Sequence, residues 1–266
     1  MSFQPVIPLP GYAGWSFLKR TMATQQATQQ STPMARREQA YFRANIGKID
    51  TAGQLVADRR LLNVVLTAFG LEGDIKNKAF IRKVLEEGTL ETGSLANRLA
   101  NKQYQKLSAA FGFGDMTTPR NKISDFADKI LALYNTRAFE TAVGAQNNEY
   151  RIALNAEREI AVLAARSGSE DTKWYTVLGS APLREAFQTA LGLPSSFASI
   201  DLDTQLSMIK AKARSMFGSD TVSQFAEAAK MDKLVRTYIL RAEIGAVTSG
   251  SSPGSVALQL LSSLTR

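Results

Sequence analysis

The chain has 266 residues, with 32 Lys and Arg against 24 Asp and Glu for a net charge of +8, and it contains neither His nor Cys. That composition excludes zinc, copper and haem sites built on imidazole or thiolate, Ser-His-Asp and Cys-His nucleophiles, CxxC redox chemistry and disulfides. An apolar content of 44% and a charged content of 21% are those of a folded chain, long enough for one large domain or two small ones.

Residues 1–35 read as an extended N-terminal arm followed by a linker. Pro5, Pro8 and Pro10 punctuate the start, and Tyr12, Trp15, Phe17 and Leu18 follow as an apolar cluster that either docks or waits for a partner. Residues 21–35 are rich in Thr and Gln and end at Pro33, the composition of a linker or a weakly held helix. From Met34 onward the apolar period is helical. Asp58 caps a helix whose Leu61, Leu62, Val65, Leu66 and Phe69 recur at three and four, and Gly70 stops it. Ile81, Val84 and Leu85 continue the period. Leu95, Leu99, Tyr104, Leu107 and Phe111 carry it to Gly112. A long stretch opens at Ile123 and Phe126 and runs, interrupted near Gly144, to about Ala165.

A polar break at 167–171 separates that stretch from a helix starting at Ser180-Ala-Pro182 and closed by Gly192 and Pro194. Leu202, Leu206, Ile209, Ala213 and Met216 share one face of the next helix, and 234–244 carries the last strong pattern. Ser249-Gly-Ser-Ser-Pro-Gly254 reads as a linker to a terminal helix with Val256, Leu260, Leu261 and Leu264 on one side. With no alternating strand pattern, the expected fold is all-α, a multi-helix globular bundle. The expected divisions are the arm and linker at 1–35, a first helical half at 36–166, a second half at 172–247 packed on the first, and the linker and terminal helix at 248–266.

Two segments 122 residues apart resemble each other. Asp58 to Leu71 lies over Ser180 to Leu193 with identity at Leu61/Leu183, Thr67/Thr189, Ala68/Ala190, Gly70/Gly192 and Leu71/Leu193. Arg43-Ala-Asn-Ile-Gly47 is close to Arg241-Ala-Glu-Ile-Gly245, at a different offset. Either a helical unit is duplicated, or cap, apolar face and terminal glycine recur because helices need them.

The positive charge is concentrated at the start: the first 60 residues have a net charge of +5, in Lys19-Arg20, Arg36-Arg37, Arg43, Lys48 and Arg59-Arg60. The pairs are separated and form no continuous stripe with stacking aromatics, so they read as solvated helix faces rather than a nucleic-acid surface. No secretory signal is evident, and the longest apolar run, Leu61 to Leu71, is too short to span a membrane. The expected location is the cytoplasm, or a destination reached by a route that bypasses the Sec signal.

No P-loop or dinucleotide fingerprint occurs. Gly112-Phe-Gly114-Asp115 follows a helix, so its glycines read as a helix stop. Carboxylate pairs stand at Glu86-Glu87, Glu157/Glu159, Glu170-Asp171 and Asp201/Asp203, with nothing to set any of them across a cleft. Asp201/Asp203 precedes a helix, where carboxylates meet the helix dipole favourably, and lacks the continuation of an EF-hand. No catalytic, cofactor-binding or metal-ligating residue is expected, and no cofactor.

Several segments together carry a family resemblance: Tyr41-Phe-Arg-Ala-Asn-Ile-Gly-Lys-Ile49, Leu55-Val-Ala-Asp-Arg-Arg-Leu-Leu62, Ala68-Phe-Gly-Leu71, Phe80-Ile-Arg-Lys-Val-Leu85, Ser94-Leu-Ala-Asn-Arg-Leu99, Ala110-Phe-Gly-Phe113, Phe139-Glu-Thr-Ala-Val-Gly144 and Gly192-Leu-Pro194. From about Ala40 to about Ala242 the chain resembles an all-helical domain of unknown function of alphaproteobacteria, often encoded among flagellar genes. The resemblance implies a motility context and supplies no catalytic residues. The expected function is a non-enzymatic helical interaction or assembly protein connected with the flagellum. Its expected partner contacts are Tyr12, Trp15, Phe17 and Leu18 in the arm and Leu260, Leu261 and Leu264 in the terminal helix. Protein partners, including flagellar components and a second copy of the chain, are expected, with no membrane span and no nucleic acid. The alternatives are a cytoplasmic binding module, either an export chaperone or a weak nucleic-acid binder, and an enzyme using carboxylate or lysine chemistry. On this reading, deleting residues 1–20 leaves the body folded.

Overall fold

The computed structural model describes residues 3–250; Leu260, Leu261 and Leu264 lie outside the described residues. Among those described there are thirteen α-helices, several short 3-10 turns and no strand, so the fold is all-α. The helices fall into two compact units. The first contains residues 3–6 and 20–145, the second residues 7–19 and 146–250.

The expected arm is non-helical only over residues 3–10; from Gly11 onward it is a helix. Helix α1 runs Gly11–Ser31, through both the apolar cluster and the Thr/Gln tract. Glutamine is a good helix former, and the buried positions Trp15, Leu18 and Gln25 keep a helical spacing. Gln25 is buried because its amide meets the backbone of Val6 on both sides, accepting from Val6 N at 2.7 Å and donating to Val6 O at 3.1 Å. A polar side chain buried with its bonds satisfied has no hydropathy signature, which is why the tract reads as a linker.

In the first unit, α2 (Pro33–Asn45) starts with Thr32 accepting from Ala35 N and with proline in the first turn. Helices α3 (Ala52–Ala57) and α4 (Arg59–Phe69) follow, capped by Thr51 and Asp58. Asp58 accepts from Arg60 N at 2.9 Å and from Leu61 N at 3.0 Å. Then come α5 (Lys78–Glu87), the single turn α6 (Leu95–Arg98), α7 (Gln103–Phe111) and the long α8 (Phe126–Gly144). Helix α4 is the core element, with eight of its eleven residues buried. It packs chiefly on α8, with α2 and α3 against its other sides. Each fully buried Leu, Val or Phe there contributes about 1.5–3 kcal/mol of transfer free energy.

In the second unit, α9 (Asn148–Ala165), α11 (Ala181–Leu191) and α13 (Ala228–Gly250) pack on one another. Helices α10 (Glu170–Gly179) and α12 (Leu202–Phe217) lie against α11. An edge-to-face aromatic chain, Trp174–Phe187–Phe225–Phe217, has ring centroids 5.1, 5.3 and 5.2 Å apart. The boundary between units falls at 145/146, not in the polar break at 167–171. The helical period ending near Ala165 belongs to two helices: α8 stops at Gly144, and Asn147 starts α9 by accepting from Tyr150 N at 2.8 Å.

The two units repeat a common internal plan. Helices α4 and α11 both have eleven residues and both end in a left-handed glycine, Gly70 at φ 70° and Gly192 at φ 63°. In both, the residue after the glycine closes a Schellman turn: Leu71 N donates to Leu66 O at 2.8 Å and Leu193 N to Gln188 O at 2.9 Å. A guanidinium lies against each glycine, that of Arg137 on α8 at Gly70 and that of Arg241 on α13 at Gly192. The counterpart of Arg241 is therefore Arg137, in Tyr134-x-x-Arg137-Ala138 against Tyr238-x-x-Arg241-Ala242, rather than Arg43. Phe111-Gly112 and Phe217-Gly218 each end the helix before a 3-10 turn (Arg120–Lys122 and Ser223–Ala226) and the long helix.

Candidate interaction surface

The apolar cluster of the N-terminus is part of the second unit's core. Trp15 is 2% exposed and Leu18 fully buried, which removes both from the expected partner contacts. The Trp15 ring lies 5.9 Å from that of Tyr150, whose hydroxyl donates to Gly11 O at 2.6 Å. Gly14 is packed so closely that a Cβ there would run into Leu9 O and the Tyr150 hydroxyl. Phe17 is half-buried. Tyr12 is half-buried too, with the Arg236 guanidinium 5.1 Å from its ring centre. An isolated extended arm would leave these rings in water; a helix with Trp15 and Leu18 at i and i+3 buries them.

The four carboxylate pairs are engaged in ties within the fold. Glu86 pairs with Arg82 at 2.6 Å, and Glu87 accepts from Leu95 N at 2.6 Å. Glu157 pairs with Lys19, and Glu159 with Arg158, both at 2.6 Å. Asp171 pairs with Lys210 at 2.6 Å. Asp201 caps α12 through Thr204 N at 2.9 Å, as its position before a helix implied, and Asp203 accepts from the Tyr175 hydroxyl at 3.0 Å. Among the described residues no group of three or more carboxylates is arranged to hold a metal ion.

One buried cluster has no sequence signal. Lys173 on α10 is 5% exposed and donates to Glu170 at 3.1 Å and to the Ser223 hydroxyl at 2.5 Å. Glu170 also accepts from Val222 N at 2.7 Å, Ser223 N at 3.1 Å and the Ser223 hydroxyl. Burial pushes the Glu170 carboxyl upward, but these hydrogen bonds outweigh it and hold the group below its usual range. The serine proton is directed at a carboxylate and the ammonium is paired, so the trio ties the 222–223 turn to α10 instead of presenting a nucleophile.

Gly112 stops α7 at φ 67°, as its place after a helix implied. Two residues on, Gly114 packs against Glu86 O so closely that a Cβ would not fit. Asp115 then accepts from Thr89 N at 2.6 Å, the Thr89 hydroxyl at 2.8 Å and Leu90 N at 3.1 Å, fixing the loop whose Leu90 is 74% exposed.

Two features of the first unit face solvent. The first is an open groove of about 370 Å³ among α1, α2 and α8, with Gln26, Gln30, Gln39, Arg43, Asp128 and Asn135 in its lining. The second is a set of exposed arginines, Arg36 and Arg37 on α2 and Arg59 and Arg60 opening α4. The Arg60 guanidinium lies 3.8 Å from the Tyr41 ring centre, donates to Glu38 at 3.0 Å and reaches Arg37 O at 3.4 Å. Tyr41 in turn donates to Asp58 at 2.7 Å. Sequence reasoning noticed these pairs but read them as ordinary solvated faces. For Arg59-Arg60 the available signal was position, since these are the first two residues of α4 and helix starts disfavour cations.

No described helix is long and apolar enough to cross a membrane. A crystal structure of a protein from Agrobacterium tumefaciens, solved in a structural-genomics programme, is similar with a TM-score of 0.73 at 24% identity, covering 91% of this chain and 99% of that one. That likeness concerns the fold alone. No curated protein matches the chain. Residues 68–231 match the protein family of unknown function DUF1217. The match takes in more than half of the sequence, including the whole of α11 and the C-terminal end of α4, and the chain belongs to that family.

Proposed function

We propose that the protein is a non-enzymatic helical interaction or assembly protein connected with the bacterial flagellum. The observation that supports it best is the use made of the reactive side chains. The four carboxylate pairs and the buried Lys173–Glu170–Ser223 trio serve as helix caps and ties between elements, and Arg36, Arg37 and Arg59 are exposed at the surface. Arginine at a surface is a recognition group before it is a catalytic one. The motility context comes from the resemblance to families encoded among flagellar genes.

The test is where the protein resides in its own host. Antibody detection in purified flagella, culture medium and cytosol is compared with and without a working flagellar export apparatus. Recovery in flagella or medium that depends on export is the expected result. Confinement to the cytosol under both conditions overturns the assembly role and leaves a cytoplasmic binding module, such as an export chaperone.

A further inference from the structure

We propose that the exposed ridge of α13 carrying Leu240 and Ile244 is the docking site of residues 255–266 of the same chain. The inference goes beyond the reading of the chain as an interaction protein, because Leu260, Leu261 and Leu264 are then taken up by the chain itself.

Helix α13 is committed on three sides. Leu234, Val235, Tyr238 and Ile239 are buried in the core of the second unit. Arg236 lies over the Tyr12 ring at 5.1 Å and the Glu243 carboxylate lies against Gly11, so one flank faces the start of α1. Arg241 lies against Gly192, so the other flank faces the end of α11. At about 100° per residue, Leu240 and Ile244 fall between these flanks, one turn apart and away from the core. Leu240 is 40% and Ile244 63% exposed. Single apolar side chains at a surface need no explanation; two on one ridge make a stripe.

The chain that leaves α13 supplies the cover. The helix ends at Gly250, and residues 255–266 lie outside the described residues. Between them, Ser251-Ser-Pro-Gly254 sets proline and glycine at successive positions, as a reversal of direction requires. A connection of that length joins antiparallel helices. Beyond it Val256, Leu260 and Leu264 recur at every fourth position with Leu261 beside them, and Arg266 is the single charged side chain. An amphipathic segment this short is marginal as a helix alone and needs an apolar surface. In helical form residues 255–266 span about 18 Å, enough to return past Leu240. With the reversal centred on 252–253, Leu261 comes opposite Ile244 and Leu264 beside Leu240.

A second copy fits less well. So short a tether holds 255–266 beside its own ridge at a local concentration on the order of a millimolar, above what separate chains supply.

The test uses the full chain, whose lack of cysteine makes any introduced pair the only thiols. Ile244→Cys with Leu261→Cys should form an intramolecular disulfide under mild oxidation, found by peptide mapping of the monomer. Asp232→Cys with Leu261→Cys should not, because Asp232 is exposed but lies about 18 Å further from the reversal along the same helix. Separately, Ile244→Ser and the pair Leu261→Ser with Leu264→Ser should each lower the melting temperature by about 4 °C. Their combination should cost no more than either alone, since each removes the same contact. Equal cross-linking of the two cysteine pairs, additive losses or unchanged melting overturn the proposal. A disulfide formed only between chains, with melting that rises with protein concentration, overturns it in favour of docking on a second copy.

Discussion

The hydroxyl of Tyr150, on α9, donates to the backbone oxygen of Gly11 at 2.6 Å, so residues 139 positions apart in sequence close the same unit. The Trp15 ring packs tilted against that of the tyrosine, and Leu18 is buried one helical turn further on. The N-terminal segment is a structural member of the second unit. Deleting residues 1–20 therefore removes core, in contrast to the outcome expected of a free arm. The truncated chain should lose cooperative unfolding of the second unit, read as a broadened or split calorimetric transition. Trp15→Ala alone should cost about 3–5 kcal/mol in denaturant unfolding. A truncated chain that melts like the full one would contradict this packing.

Gly70 and Gly192 end α4 and α11 in the left-handed region with an arginine against each. A side chain at either position is strained by roughly 1–2 kcal/mol, and at Gly192 a Cβ would also meet the Arg241 guanidinium. Gly192→Ala should therefore be partly relieved when combined with Arg241→Ala, whereas additive losses in that double-mutant cycle would show no coupling between the two.

How much of this was legible beforehand follows the physics of each element. Helix α4 was readable because its cap, its apolar stripe and its terminal glycine are separate signals that agree. Helix α1 was misread because its middle turns are anchored by an amide, Gln25, bonded to Val6. Hydropathy does not register a polar group whose partner lies elsewhere in the chain. The repeat was visible at 58–71 and 180–193, where local helix grammar is strong. Its second half was mispaired because Arg43 and Arg241 sit in similar words, while the common role of Arg137 and Arg241 exists only in three dimensions. The Arg59-Arg60 pair was seen as composition and not as the start of a helix.

Leu66 and Phe69 tie the identified stripe of α4 to the core of the first unit, Leu66 fully buried and Phe69 nearly so. Leu66→Ala or Phe69→Ala should each cost about 2–5 kcal/mol. Urea unfolding followed by circular dichroism checks it, and an unchanged midpoint would place α4 outside the core.

Acid should destabilise the protein through three carboxylates. At Asp58, Asp115 and Glu170 burial pushes the carboxyl upward, but the hydrogen bonds from Tyr41, Thr89 and Ser223, with neighbouring backbone N–H groups, outweigh it and hold each below its usual value. A carboxyl whose folded value is depressed contributes stability that is fully present above its unfolded value of about 4 and is lost as pH falls through the folded one. Stability should thus decline below about pH 5, and Asp115→Asn should make that decline shallower. An unaltered pH profile in Asp115→Asn would show that the carboxylate contributes nothing.

At the alkaline end Tyr104 and Asp74 form a tyrosine–carboxylate pair whose titration can be tested. The Tyr104 hydroxyl donates to the Asp74 carboxylate, and its ring meets Phe80 edge-on at 5.2 Å. Burial, the hydrogen bond to Asp74 and the repulsion between phenolate and carboxylate push the hydroxyl up to about 12. Because the folded value lies above the unfolded one of about 10, its contribution to stability is complete below pH 10 and disappears as pH rises through the folded value. Ultraviolet titration should find a tyrosine that resists ionisation at pH 11. In Asp74→Asn that tyrosine should ionise earlier, since the like charge is gone while the amide oxygen can still accept the bond. Should the natural chain and Asp74→Asn titrate alike, burial alone would account for the raised value and the carboxylate would have no electrostatic part in it.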